Sequence, residues 1–145
     1  MHEILFRGKR ADNGEWIEGC GIISTENWAS IFTVIDDLED NSADVEEYEV
    51  IPETVGQFTG LTDNNGNKIW EGDIVKAKII ELSGEKYIGI WEVAYHTKYG
   101  YFYLKRPKNN LLFDGNWSYG VTKIEVIGNI HDNSEELLKG GVDNG

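Results

Sequence analysis

Asp73-Ile74-Val75-Lys76-Ala77-Lys78-Ile79 alternates apolar and polar side chains, so Val75, Ala77 and Ile79 fall on one side and Lys76 and Lys78 on the other. That period of two belongs to a strand with one buried face. Ser83-Gly84 then turns the chain into residues 86–95, where Tyr87, Trp91, Val93 and Tyr95 share a face with Gly89 between them. Two runs of this kind joined through glycine predict an antiparallel hairpin.

The same reading extends outward. Lys98-Tyr99-Gly100 turns into a strand at 101–105, Asp114-Gly115-Asn116 makes a further turn before Trp117, and a last strand occupies 123–131. There Ile124, Val126 and Ile130 alternate against Glu125 and Asn129. Upstream, 4–10 and 16–23 are separated by Asp12-Asn13-Gly14, a segment that readily takes up left-handed turn conformations and so predicts a first hairpin. The β-branched stretch at 31–35 predicts another strand.

Residues 36–49 hold eight carboxylates and no Lys or Arg: Asp36, Asp37, Glu39, Asp40, Asp44, Glu46, Glu47 and Glu49. Like-charge crowding opposes a helix there, and a solvated acidic loop is expected. One helix is predicted, short and terminal. Asn133 caps it, Glu136 stands three residues on, Leu137 and Leu138 dock it and Gly140-Gly141 stop it, after which 142–145 should fray.

Short strands with turns at close spacing predict a mainly β protein whose antiparallel strands close into a small barrel, because sheets of this length must hide their edges. The expected organisation is one domain over 1–139, with an N-terminal β-rich hairpin lobe and its acidic loop at 1–50, a barrel-like part at 51–139, and a flexible tail at 140–145. A chain of 145 residues has room for this arrangement.

Composition narrows the function classes. The net charge of -13, from 26 acidic and 13 basic side chains, repels a phosphate backbone at long range and disfavours ordinary nucleic-acid binding. Cys20 is the single cysteine, so no intrachain disulfide forms and a cytoplasmic setting is expected. No apolar stretch approaches the ~20 residues that span a bilayer, so no membrane role is expected.

Motifs that would carry chemistry are missing. The sequence has no phosphate-binding glycine loop, dinucleotide fingerprint, nucleophile elbow or His-Glu-x-x-His pair. No catalytic residue, metal ligand or cofactor site is therefore assigned, and an enzyme is disfavoured. Asp63-Asn64-Asn65-Gly66-Asn67 is rich in oxygen donors, but its glycine stands fourth and the twelfth residue is Ile74, which fails the calcium-loop pattern and leaves a hairpin turn. Cys20, His2, His96 and His131 lack close ligand spacing, so an inert, buried cysteine and solvent-facing or strand-end histidines are expected.

Pro52-Glu53-Thr54-Val55-Gly56-Gln57-Phe58-Thr59-Gly60-Leu61, followed by Asp63-Asn64-Asn65-Gly66-Asn67-Lys68-Ile69-Trp70-Glu71-Gly72-Asp73-Ile74-Val75, closely resembles the signature of the YopX family of phage and prophage proteins. The opening Ile4-Leu5-Phe6-Arg7 and the closing Glu125-Val126-Ile127-Gly128-Asn129-Ile130-His131 agree with it. The resemblance implies a phage-encoded, strand-rich protein without an established activity, and it transfers no catalytic residue. Glu71-Gly72-Asp73-Ile74-Val75 also looks like the start of an SH3-like barrel, a likeness of fold alone.

Turns and packing account for most signature residues. Gln57, Thr59, Glu71 and Asp73 either cap local backbone or converge on a surface. With Trp70, Tyr99, Tyr101 and Tyr103 they make up the candidate interaction surface. The aromatic group Tyr95, Tyr99, Tyr101, Phe102 and Tyr103, beside Lys98, Lys105, Arg106 and Lys108, serves either strand packing or a platform for a base, a peptide or another subunit. The leading expectation is a non-enzymatic accessory protein acting by protein–protein contact, with itself as partner in a homo-oligomer. The alternatives are an acidic nucleic-acid mimic that occupies a host DNA-binding protein, and an enzyme or nucleic-acid binder built on the barrel.

Overall fold

The computed structural model describes residues 4–37, 39, 42–80, 83–105, 111–112, 121–132 and 142–143. In chain order the strands are β1 (Phe6–Lys9), β2 (Trp16–Gly19), β3 (Gly21–Ser24), β4 (Ala29–Asp37), β5 (Ser42–Val50), β6 (Gly56–Thr62), β7 (Lys68–Trp70), β8 (Asp73–Ile80), β9 (Lys86–His96), β10 (Tyr101–Lys105), β11 (Leu111–Leu112), β12 (Val121–Asn129) and β13 (Val142–Asp143). A single 3₁₀ turn, Pro52–Thr54, precedes β6. Two compact units result, Met1–Phe58 and Thr59–Gly145, where the sequence placed a lobe boundary at 50/51.

In the first unit β1 and β2 form the expected hairpin, with Lys9 opposite Trp16. Asn13 helps close it by accepting the Glu15 amide at 2.9 Å. β3, β4 and β5 make an antiparallel meander in which Ile31 faces both Ile22 and Tyr48. Ala29, Ile31 and Val50 form the buried cluster, with Phe6, Ile17, Ile22 and Val55 packed against it.

Here the structure corrects the sequence reading. The expected acidic loop is mostly β5, paired with β4 from Ala29↔Val50 out to Asp37↔Ser42. Extension explains why. A helix stacks carboxylates three and four apart on one side, whereas a strand sends successive ones to opposite faces. Cys20, expected to be buried, is exposed, its thiol 3.9 Å from the Phe32 carbonyl.

The second unit carries an antiparallel sheet in the order β11-β10-β9-β8-β12, with β13 also on β9. Its two faces differ sharply. Ile69, Val75, Ala77, Ile79, Trp91, Val93, Leu104, Val121 and Ile124 are buried together, and Leu61, Phe102 and Val126 pack against them. The anticipated alternation of β8 and β9 is therefore present. Trp91 is fully buried, and its ring lies back across Gly89 so closely that a Cβ at residue 89 would overlap it.

No closed barrel forms among the described residues. β11 and β12 end the path and do not pair with each other, so the sheet is open and the SH3-like expectation is not met. The edge of β12 away from β8 is instead occupied by a turn. Asn64 donates its amide to the Ile124 carbonyl at 3.1 Å, and the Asn64 side-chain oxygen accepts the Ile124 amide at 2.6 Å. Edge protection, the reason for expecting closure, is achieved here by the main chain and side chain of a loop residue.

Val142–Asp143, expected to fray, pairs with Ile88 and Gly89 as β13, using β9 edge that β10 leaves open. The predicted helix at 133–139, the Asp114-Gly115-Asn116 turn, Trp117, Arg106, Lys108 and His2 lie outside the described residues.

The Trp91–Gly89 packing leads to a stability test. Gly89→Ala should cost about 1–3 kcal/mol by overpacking, and Trp91→Ala about 3–5 kcal/mol by cavity formation, each read from the urea midpoint of the second unit. Ser30 offers the opposite sign. Its hydroxyl is buried and has no hydrogen-bond partner among the described residues, so Ser30→Ala should raise stability by up to about 1 kcal/mol.

Candidate interaction surfaces

Asp63 is the hinge of the family-like signature. β6 and β7 are joined through 63–67, where Gly66 takes φ 84° and donates its amide to the Asp63 carbonyl at 3.1 Å. The Asp63 carboxylate is buried and accepts the amides of Asn65 and Asn67 at 2.9 and 2.8 Å with one oxygen. Its other oxygen takes the Val126 amide at 3.0 Å and the Asn67 side chain at 3.4 Å. The oxygen-rich run is thus committed to holding a turn against β12.

Burial pushes the Asp63 carboxyl up, but the hydrogen bonds from Val126, Asn67 and Asn65 outweigh it and hold the group below its ordinary value of 3.8. A lowered pKa means a stabilising contribution fully present above the unfolded value and lost as pH falls through the folded one.

Several other signature residues serve the backbone. Thr59 donates to the Ile69 carbonyl at 2.8 Å and accepts the Leu61 amide at 3.2 Å. Asp73 accepts the Trp70 amide at 2.8 Å across the turn at Glu71 and Gly72, the latter with φ 92°. Trp70 and Asp73 are both buried, which removes these two from the protein surface. Gln57 is half-buried in β6 opposite Phe6, and Glu71 is half-buried in the turn. The expected surface residues do not converge as a group.

Tyr99, Tyr101 and Tyr103 do converge. The β9–β10 register pairs His96 with Tyr101 and Ala94 with Tyr103, placing them on the face opposite Trp91, Val93 and Leu104. His96 stacks on Tyr101 at 5.1 Å and lies 5.0 Å from Tyr99, whose ring is within 6° of parallel to that of Tyr101. Lys98 sits 5.3 Å over Tyr99. Tyr95 and Phe102 belong to the other face and pack together at 4.9 Å, Phe102 against the core and Tyr95 still exposed.

The aromatic patch continues into lysines. Register places Lys76 beside Glu125 and Ile90, Lys78 beside Lys123 and Ile88, and Lys105 beside Glu92, all on that outer face, with Lys86 opposite Ile80. Lys76, Lys78, Lys86, Lys105 and Lys123 are exposed, while Ile88 and Ile90 are half-buried between them. A shallow hollow is lined by Lys76, Lys78, Ile88, Lys123 and Glu125. The outward direction of Lys76 and Lys78 was legible in the alternation of 73–79; their meeting with Lys123 depends on strand order.

A second surface lies in the first unit. Beyond Phe32, β4 pairs with β5 alone, and this distal ribbon is exposed on both sides: Val34 is 51% accessible, Ile35 47% and Val45 63%. Val34 and Val45 are opposite one another, and the neighbouring pairs are Phe32↔Glu47 and Ile35↔Asp44. Glu49 accepts the Trp28 indole N–H at 3.0 Å, and Glu46 accepts the Tyr48 hydroxyl. Both donors are neutral, so the negative charge remains. That bond and burial raise the Tyr48 pKa, while Arg10, 4.9 Å from the ring, opposes the rise. Sequence reasoning placed Val34 in a strand at 31–35 but missed its pairing with the exposed Val45, because it treated 36–49 as a loop.

Charge is divided between the units. Met1–Phe58 holds 14 acidic and 3 basic side chains, Thr59–Gly145 holds 12 and 10. Nearly all the net charge therefore belongs to the first unit.

The sequence model of the family described as YopX protein matches residues 5–139. The chain belongs to the YopX family. That span contains the signature hairpin, the ribbon and the lysine–tyrosine face. Comparison with curated proteins returns no match. Among the described residues of this YopX protein, no helix is long and apolar enough to cross a membrane.

The Asp63 network should be visible in acid. Asp63→Ala should lower stability by about 1–3 kcal/mol at neutral pH, because it strips a charged acceptor from the main-chain amides of Asn65, Asn67 and Val126. The difference between wild type and variant should be full above about pH 4 and shrink below it, measured as urea midpoints across a pH series. A difference that stays constant down to pH 2 would contradict the assignment.

Proposed function

We propose that this YopX protein is an accessory protein, carried by phage or prophage and acting in the bacterial cytoplasm, that works by protein–protein contact and associates with itself. The observation that carries this reading is the distal β4–β5 ribbon, where Val34, Ile35 and Val45 are exposed on a two-stranded extension. An isolated two-stranded ribbon is marginal in water, and apolar side chains on both of its sides gain from a partner. Short of Glu49 and Val50, which bond to Ala11 and Arg10, the outer edge of β5 also offers backbone groups for pairing.

A second reading has an observation of its own. β5 is extended, so Asp44 and Glu46 line one side of it and Glu47 and Glu49 the other, each pair two residues or ~7 Å apart. A row of anions on an exposed strand, with no Lys or Arg over 36–49, resembles a phosphate backbone in charge. The ribbon therefore suits an acidic mimic that occupies a host DNA-binding protein. Such binding would weaken steeply with salt, while an apolar contact would persist.

Light scattering over a range of protein concentrations tests the leading reading. Wild type should rise above the mass of one chain, and the double variant Val34→Ser, Val45→Ser should remain at that mass with its folded spectrum intact. A wild type that stays at one chain throughout, and captures a DNA-binding protein at low salt only, would shift the assignment to the mimic.

A further inference from the structure

The outer face of the second unit brings together Lys76, Lys78, Lys86, Lys105 and Lys123 with Tyr101 at its aromatic end. Glu92 and Glu125 share the face and Asp143 pairs with Ile88 at its β9 edge, so five lysines stand against three carboxylates in a chain whose net charge is -13. A positive sheet face on so acidic a protein suits an anionic occupant with an apolar component, because Ile88 and Ile90 lie half-buried between the lysines.

The same chain carries a surface of that description. One side of the ribbon presents Val34 and Val45 next to Glu47 and Glu49, and the other presents Ile35 with Asp44 and Glu46. Acidic and apolar side chains alternate there at strand spacing, as lysine and isoleucine do across β8 and β9.

We propose that the β4–β5 ribbon of one copy docks on the lysine–tyrosine face of the second unit of another copy, an inference that rests on the self-association reading and supplies its second surface. The contact joins two different patches, so each copy keeps one ribbon and one face to offer, and assembly proceeds head to tail into rings or filaments. At about 0.15 M salt the Debye length is ~8 Å, so repulsion between the acidic copies is screened while carboxylate–lysine pairs in contact still attract. Single-stranded nucleic acid also combines repeated anions with flat apolar faces. The ribbon fits better because it brings aliphatic side chains to the isoleucines and needs no partner beyond the chain itself.

The test is charge reversal and mixing, read as mass in solution at about 0.15 M salt with folding checked by circular dichroism. Glu46→Lys with Glu47→Lys, and separately Lys76→Glu with Lys78→Glu, should each weaken association at least about tenfold and leave single chains. An equimolar mixture should assemble again with the two variants alternating, since intact ribbon meets intact face and reversed ribbon meets reversed face. A chain carrying all four reversals should assemble again.

If the lysine variant assembles like wild type while the ribbon variants do not, self-association stands and the lysine face is not its partner. A wild type that remains a single chain at every concentration overturns both the contact and the reading beneath it. Binding of a labelled oligothymidylate that is lost in the lysine variant, with no complex in the mixture, overturns the copy-to-copy contact in favour of nucleic acid.

Discussion

Trp91 folds back over Gly89 within β9, and the second unit follows from that packing. The ring is the largest fully buried side chain among the described residues, and it can lie flat along its own strand only because residue 89 has no Cβ. Since the side-chain period of a strand is two, fixing Trp91 and Val93 inward sends Ile88, Ile90 and Glu92 outward, and pairing carries the same parity to Lys76, Lys78 and Lys123. A slip of one residue would bury the lysines and expose the core. The chemical contrast between the faces is thus a consequence of one residue pair.

Carboxylates serve two physical ends in this protein. Asp63 and Asp73 are buried, and main-chain amides satisfy them, so they act as fixed acceptors that hold turns in place. Those along β5 lie on an exposed ribbon, and the hydrogen bonds given to Glu46 and Glu49 come from neutral groups. The first kind stabilises a fold; the second builds a field. Because 14 of the acidic groups belong to the first unit, where only 3 basic ones offset them, the whole-chain charge conceals a second unit that is nearly balanced.

Much of the strand pattern was legible in the sequence, for reasons that particular residues make plain. Val75, Ala77 and Ile79 alternate with lysines, and Asn13-Gly14, Asn65-Gly66 and Tyr99-Gly100 mark turns that the structure contains. The ribbon was not legible, because an acidic run reads as solvated whether it is a loop or an exposed strand, and only the partner strand β4 decides. Barrel closure was not legible either. It depends on whether edges meet, and the edge of β12 is occupied by Asn64, a residue whose sequence signal is simply that of a turn. Of the candidate surface, the exposure of Tyr99 and Tyr101 emerged from the β9–β10 register, while Trp70 and Asp73 turned inward to form the turn that opens β8.

The central claim is that acid and base are segregated in this YopX chain so that one copy can hold another. Zero-length carboxyl-to-amine cross-linking of an equal mixture of ¹⁴N- and ¹⁵N-labelled protein, followed by peptide mass spectrometry, addresses it directly. The account predicts mixed-isotope links joining Asp44, Glu46 or Glu47 to Lys76, Lys78 or Lys123. Links confined to peptides of a single isotope, or ribbon carboxylates that find no lysine of the sheet face, would contradict it.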